Sequence, residues 1–171
     1  MLKRTLLAAS LFLLPAMSTP SFASGVVNVA TIGEPPTLDP MASTADVVGM
    51  ITQHIFETLF TFDAEWNVVP LLAEEMPTVS ADGKTYDIAL RKGIKFHDGS
   101  TMTSADVVAS IERWAKIASR GKQVAPYLSS VTAKGDDAIQ IVLNKPYAPL
   151  LSLLAFNNSA AVIMPKANLA E

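Results

Sequence analysis

One stretch in the middle of the chain, residues 85–107, constrains the fold more than any other. In residues 85–91 apolar and polar side chains alternate with the two-residue period of a half-buried strand. Thr103 is a good helix N-cap, and Asp106 three residues later brings a carboxylate to the first helical turn, where it is stabilising. The sequence therefore predicts a strand that runs through turns into an amphipathic helix over residues 104–118.

The rest of the chain alternates between short apolar runs and turn residues, which predicts a mixed α/β fold. No internal repeat or low-complexity run interrupts this pattern. Strands are predicted at residues 26–31 and 160–163, hairpins at 60–62 with 67–69 and at 131–133 with 138–143, helices at 47–59 and 146–154, and a helix break at 119–122.

The first 23 residues have the pattern of a secretory signal peptide. Lys3 and Arg4 form the basic start, and residues 6–14 form an apolar core that is too short to span a bilayer. Residues 21–23 then offer the small side chains that a signal peptidase recognises. We therefore expect export, with cleavage near Ala23.

Charge and cysteine content narrow the class of partner. The chain has 13 Lys and Arg against 16 Asp and Glu, and loss of Lys3 and Arg4 with the signal would leave 11 against 16, a net charge of −5. This acidity argues against nucleic acid as a partner. There is no cysteine, hence neither a disulfide nor the lipid-bearing cysteine that tethers many secreted receptors. A periplasmic protein held together by core burial is expected.

Five sequence blocks stand in a characteristic order and spacing. They are residues 34–40, 55–59, 69–74, 82–86 and, as one block, 90–99 with 103–107. Together they resemble the family 5 extracellular solute-binding proteins, the peptide- and nickel-type receptors of ABC importers. The resemblance covers nearly everything after the first two dozen residues.

This resemblance implies the large, peptide-binding (class II) type of the two-lobe periplasmic-binding-protein fold. The start of the first lobe is expected at residues 24–45, an inserted subdomain at 46–158 and the return into the first lobe at 159–171. Members of the family are much longer, so the sequence is expected to be an N-terminal fragment without the second lobe. Such receptors bind by closing two lobes over the ligand.

The resemblance also implies a first set of ligand contacts. Related receptors line the pocket just after the equivalent of the proline-rich segment 33–40, which makes Ser43, Thr44 and Asp46 candidates for ligand binding. The same residues suit the cap of the helix that follows. Both interpretations stay open for each of the three.

A second set of candidates lies later in the chain. An aromatic side chain near Tyr127 faces the ligand in related receptors, and here it lies in an irregular segment where a ligand contact and a packing role are equally reasonable. Ligand-reading groups of the relatives lie near Asn157 and Asn158. Adjacent asparagines in a turn also serve as local hydrogen-bonding residues.

The sequence gives little support for a catalytic site or a metal-binding site. His97 and Asp98 have no second histidine or carboxylate at ligand spacing, and His54 is far away in sequence, so a turn over residues 97–99 is the favoured interpretation. Motifs of serine, cysteine and zinc hydrolases are absent. No catalytic residue, metal or cofactor is expected, and the protein is not expected to be an enzyme.

The expected function is that of a monomeric periplasmic receptor. It would capture a peptide or another small polar solute and deliver it to the permease subunits of an ABC importer in the inner membrane. Two other interpretations stay open, namely a secreted hydrolase whose catalytic half follows Glu171 and a solute receptor that signals to a membrane sensor. Fold does not fix the ligand, because the family binds peptides, metal chelates, sugars, haem or opines.

Overall fold

The computed structural model describes residues 25–169, so the predicted signal peptide with its cleavage site lies outside the described residues. The chain divides into two units, Met1–Ala30 and Thr31–Glu171. Within the described part of the chain, no helix has the length and apolar character needed to cross a membrane.

The described part of the first unit, residues 25–30, has no regular secondary structure. Val26 and Val27 are 87% and 84% exposed. The predicted strand over residues 26–31 is therefore wrong. An extended segment is a strand only when a neighbour completes its hydrogen bonds, and no paired neighbour occurs among the described residues.

The second unit combines helices with two antiparallel sheets. Its strands, in chain order, are β1 (Phe60–Phe62), β2 (Val68–Pro70), β3 (Thr78–Val79), β4 (Thr85–Ala89), β5 (Leu128–Ala133) and β6 (Ala138–Leu143). Its α-helices are α1 (Asp46–Thr52), α2 (Ser104–Ile117), α3 (Ser119–Val124) and α4 (Leu150–Ala155), and a 3-10 turn follows at Lys166–Asn168. The mixed α/β prediction and both hairpins are confirmed. The helix predicted at 146–154 is present but begins only at Leu150, so its predicted start is wrong.

The larger sheet has the strand order β3-β4-β6-β5, with every pair antiparallel. Tyr86 pairs with Ile141 and Ile88 pairs with Ile139, and all four side chains are buried. They belong to the same hydrophobic core as α2, which contributes Trp114 and its buried neighbours. The two-residue alternation predicted for residues 85–91 therefore directs one face of β4 into the core.

Helix α2 begins and ends where the sequence predicts, but the residues that follow it form a second helix. The Thr103 backbone N–H donates to the Asp106 carboxylate over 2.8 Å, which confirms the capping box. The helix stops at Ala118, whose backbone is extended, and α3 starts at once. The predicted interruption after Ala118 is therefore confirmed, whereas the irregular segment predicted at residues 119–122 is wrong because these residues belong to α3. Gly121 lets α3 pack so closely that an added Cβ would lie 1.9 Å from the Trp114 carbonyl oxygen.

Two further errors of the sequence prediction have one cause. The predicted helix 47–59 ends at Thr52, and the predicted strand 160–163 is reduced to a single antiparallel bridge between Thr58 and Val162. The Ile163 N–H also donates to the Glu57 carbonyl oxygen over 2.9 Å. Tertiary pairing with a distant segment thus overrides the local helical pattern of residues 53–59.

Polar side chains of α2 hold segments from both ends of the second unit. Arg113 forms an ion pair with Asp39 at 2.6 Å, with both side chains only about a quarter exposed (21% and 26%). The Ser110 hydroxyl accepts a hydrogen bond from the Met164 N–H over 3.0 Å. Solvent weakens hydrogen bonds and ion pairs less when the groups are partly buried than when they lie on the surface. These contacts therefore fix segments that have little secondary structure.

Asp106 provides a test of this arrangement that depends on pH. Burial alone would raise the pKa of Asp106, but hydrogen bonds from the Lys166 N–H and from the Thr103 hydroxyl and N–H outweigh it, so the pKa lies below its ordinary value of 3.8. A lowered folded-state pKa contributes stability that is fully present above pH 3.8 and is lost as pH falls through the folded-state value.

We expect Asp106→Asn to cost about 1 kcal/mol of unfolding free energy at pH 7, because it removes the charged acceptor of the capping box. The difference from wild type should shrink as the pH falls below 3.8. Urea unfolding at several pH values measures it, with Glu112→Gln on the exposed face of the same helix as the control. An effect of Asp106→Asn that is independent of pH would contradict this account.

Candidate functional site

The loop before α1 and the turn after α4 lie side by side, although more than a hundred residues separate them. The Ser159 N–H donates to the Ser43 carbonyl oxygen over 3.0 Å, and the Ala160 N–H donates to the Pro40 carbonyl oxygen over 3.2 Å. The Asn158 side-chain amide also donates to the Asp46 carboxylate over 3.3 Å. The structure thus brings both sets of candidates together, apart from Tyr127.

The three residues of the first set differ in how much they are occupied by local contacts. The Ser43 hydroxyl accepts a hydrogen bond from the Ala45 N–H over 3.1 Å, just before α1. Thr44 and Asp46 have exposed side chains, and Asp46 is the first residue of the helix. Ser43 therefore shapes the loop, whereas Thr44 and Asp46 present polar groups to solvent.

Asn157 is held against α1 by a close approach of two backbones. An added Cβ on Gly49 would lie 3.0 Å from the Asn157 carbonyl oxygen. The Asn157 side-chain amide faces Gln53, with 3.4 Å between Nδ2 and Oε1. Gln53, which follows the last residue of α1, carries no local sequence signal that distinguishes it from other polar residues, and sequence reasoning missed it.

Arg120 is the second residue that sequence reasoning missed. Its guanidinium donates to the Asn158 side-chain oxygen from Nε at 3.0 Å and from a terminal nitrogen at 2.6 Å, and Nε also donates to the Asn158 carbonyl oxygen at 3.0 Å. The guanidinium carbon lies 3.7 Å from the centre of the Phe156 ring, within cation–π range. We call Asp46, Gln53, Arg120, Asn157 and Asn158 the polar cluster.

The hydrophobic core anchors the turn that carries the asparagines. The buried Trp114 indole N–H donates to the Ser159 carbonyl oxygen over 2.8 Å, and the Arg120 backbone N–H donates to the Ser159 hydroxyl over 3.3 Å. Ser159 has a φ of +49°, in the left-handed region that non-glycine residues seldom adopt. Contacts on both sides hold this backbone in place, so the neighbouring Asn158 is presented from a fixed support.

Tyr127 forms its contacts in a different group. Its ring stacks on Tyr147 with 4.0 Å between centroids, and the Lys145 ammonium lies 4.6 Å from the same ring. The backbone carbonyl of Tyr127 accepts from the Asn144 N–H over 2.8 Å. Its role as a ligand contact stays a prediction.

Two cavities border the residues between α1 and β1. The larger, about 630 Å³, is lined by apolar side chains and by several polar ones, among them Gln53, His54 and His97. The smaller, about 390 Å³, is lined by Gln53 and Asn157 of the polar cluster. Gln53 lines both cavities, but the smaller one also borders Asn157 and so meets two residues of the polar cluster, which makes it the better candidate for a solute site.

The turn around His97 has the structural role favoured by the sequence. The His97 ring lies 3.1 Å from the Ile55 carbonyl oxygen. Asp98 accepts hydrogen bonds from the hydroxyl and the N–H of Ser100. These bonds lower the pKa of Asp98, and the bond from the hydroxyl has the larger effect. Gly99 has a φ of +86°. Within residues 25–169, no three His, Cys, Asp or Glu side chains come together as metal ligands.

Comparison with known proteins identifies the family. The family model described as bacterial extracellular solute-binding proteins, family 5, middle region, matches residues 67–169. A probable peptide ABC transporter periplasmic-binding protein of Sinorhizobium fredii is 35% identical over 161 residues, which cover 90% of this chain and 30% of that protein. The glutathione-binding protein GsiB of Escherichia coli K12 is 32% identical over 153 residues, covering 88% of this chain and 30% of the relative.

Solved structures give the same result for the fold. The binding protein AgaA of A. tumefaciens R10, in complex with agropinic acid, matches with a TM-score of 0.72 and 34% identity over 80% of this chain and 28% of its own. The oligopeptide-binding protein AppA of Bacillus subtilis, in complex with a nonapeptide, matches with a TM-score of 0.69 and 30% identity over 81% and 27%. The chain therefore spans less than a third of the length of these relatives and has the fold of the corresponding part.

Proposed function

Because the chain belongs to family 5 of the bacterial extracellular solute-binding proteins, we propose that it is part of the substrate-binding component of an ABC importer. This component captures a peptide or peptide-like solute and delivers it to permease subunits in the inner membrane. Family 5 proteins are binding proteins of transport systems rather than enzymes. The names of the relatives, which include peptide- and glutathione-binding proteins, support a peptide-like solute.

The observation that carries this proposal is the hydrogen bond between Asp46 and Asn158, which are separated by 112 positions in sequence. Asp46 is exposed and Asn158 is half-buried, so both remain accessible from solvent. A carboxylate beside a side-chain amide offers an acceptor and a donor to one ligand. Ser43, Thr44 and Asn157 flank this pair and complete the proposed ligand-binding surface, and Tyr127 is a further candidate.

The proposal includes the route by which the protein reaches its solute. The basic and apolar start of the sequence supports export with cleavage near Ala23. The mature protein then works in the periplasm as a monomer, without a lipid anchor on cysteine. Deleting the cognate permease genes tests the transport role, because uptake of the solute should stop and growth on it should fail.

The binding function is tested by isothermal titration of the full-length gene product. The panel consists of di- to pentapeptides with glutathione, a nickel chelate and a sugar. We expect saturable binding of a member of the peptide group. Absence of binding to the whole panel would overturn the solute-binding proposal, and exclusive binding of the chelate or the sugar would overturn its peptide specificity.

A single substitution tests the site. We expect Asp46→Asn to weaken binding of that solute about tenfold, since a hydrogen bond to a charged group contributes about 1.5–3 kcal/mol. The control is Asp136→Asn, which removes another exposed carboxylate, from the β5–β6 turn. Equal affinity of the Asp46 variant and the control would remove Asp46 from the site.

A further inference from the structure

Arg120 and Asp46 form hydrogen bonds with opposite ends of the Asn158 side-chain amide. Two guanidinium nitrogens donate to the amide oxygen, at 3.0 and 2.6 Å. The amide nitrogen donates to the Asp46 carboxylate at 3.3 Å. Nothing in the local sequence around Asn158 indicates this arrangement, because Arg120 is 38 positions away.

Atom chemistry allows only one orientation of this amide. A guanidinium has donors and no acceptor, whereas an ionised carboxylate has acceptors and no donor. With the amide rotated by half a turn, its NH₂ group would face the guanidinium and its oxygen would face the carboxylate. Both contacts would then be repulsive, and Arg120 and Asp46 would each lose a partner.

We infer that Arg120 is a positioning residue that locks Asn158 as a hydrogen-bond donor toward the solute. The oxygen of the Asn158 amide accepts hydrogen bonds from Arg120. Among the described residues, one of the two N–H groups of this amide donates to Asp46. The remaining N–H is the group that a solute can meet. The solute therefore presents an acceptor at this point, a carbonyl or carboxylate oxygen. This inference rests on the proposed function for its reference to a solute.

The packing around Arg120 supports a fixed geometry rather than a loose charge contact. The guanidinium carbon lies over the Phe156 ring, 3.7 Å from the ring centre. Phe156 in turn packs edge-on against Phe62 of β1 at 5.1 Å between centroids. Lysine cannot reproduce this contact, because an ammonium is a point charge without the planar fork that engages one oxygen through two nitrogens.

The orientation is tested first without any solute. With selective labelling of asparagine side chains in the full-length gene product, we expect the Asn158 N–H that faces Asp46 to exchange more slowly with solvent than the other N–H in wild type. Arg120→Gln should abolish this protection, whereas Lys122→Gln, which removes an exposed cation from the same helix, should leave it unchanged. Unchanged protection in Arg120→Gln would overturn the inference.

The effect on binding is tested by a double-mutant cycle with the best peptide of the titration panel. Arg120→Lys and Arg120→Gln should each weaken binding about tenfold, and Arg120→Gln should add less than about twofold in an Asn158→Ala background. Equal losses in both backgrounds would show that Arg120 touches the solute itself and would overturn a positioning role.

Conversion of the donor into an acceptor gives the second check. Asn158→Asp retains an oxygen for Arg120 but turns the other end into an acceptor, and we expect it to weaken binding at least as much as Asn158→Ala. Asn168→Asp is the control for the added charge at an exposed position. If wild type binds nothing in the panel, the proposed function fails, while the amide exchange still decides the role of Arg120.

Discussion

Gly121→Ala is expected to be strongly destabilising although it adds only one methyl group. The new Cβ would lie 1.9 Å from the Trp114 carbonyl oxygen and 2.5 Å from its carbonyl carbon. Both are backbone atoms of α2, so no rotamer change can relieve the overlap and α3 would have to move as a whole. Overpacking in a dense interior costs about 1–3 kcal/mol and occasionally more, and we expect a loss of at least about 3 kcal/mol here.

Urea unfolding of the full-length gene product measures this effect. Gly33→Ala is the matched control, because an added Cβ meets nothing within 4 Å at that position. We also expect a secondary effect on solute binding, since α3 carries Arg120. A Gly121→Ala protein as stable as the Gly33→Ala control would show that α2 and α3 do not pack as described.

Trp114→Ala is the substitution of a large side chain with the greatest expected effect. Trp114 is the largest fully buried side chain of the described core, and replacing a buried tryptophan with alanine costs about 3–5 kcal/mol. Trp114→Phe keeps most of the apolar volume but leaves the Ser159 carbonyl without its indole donor. We expect it to cost about 1–3 kcal/mol, the cost of an orphaned buried polar group.

The two Trp114 variants separate packing from positioning. Trp66 is the other tryptophan of the chain, and it is 75% exposed, so Trp66→Phe is the control for stability and fluorescence. Because Ser159 adjoins Asn158, Trp114→Phe should also weaken solute binding beyond its effect on the folded fraction. If a folded Trp114→Phe protein bound the solute with wild-type affinity, the Trp114 indole would have no role in positioning the site.

The sequence predicted the elements whose signals are local. Thr103 and Asp106 lie three residues apart and specify the start of α2 by themselves. Residues 134–137 connect strands of matching alternation, so the β5–β6 hairpin was equally clear. In both cases the residues that form the structure are neighbours in the chain, which is why propensity and period were sufficient.

Elements that depend on distant partners were predicted less well. Residues 53–59 have helical spacing, but Thr58 pairs with Val162 instead. Gly121 was interpreted as a helix breaker, whereas its lack of a side chain allows α3 to pack against Trp114. A glycine can serve a turn, because its backbone is flexible, or close packing, because it has no side chain. The sequence alone does not show which of the two applies.

The candidate site shows the same limit. Asp46 and Asn158 were both named from family resemblance, yet their hydrogen bond spans 112 positions and no periodicity could reveal it. Arg120 was overlooked because a lone cation after a helix has no distinguishing pattern. Its importance comes from what it touches.

The way in which α2 gathers distant segments has a consequence for the order of events during synthesis. Asp39 leaves the ribosome 74 residues before its partner Arg113, and Ser110 meets Met164 only 54 residues later. Contacts of such long sequence separation slow folding, because loop closure precedes the gain from contact. The early segment therefore cannot form its ion pair with Arg113 until α2 has been synthesised, and the contact between Ser110 and Met164 forms later still.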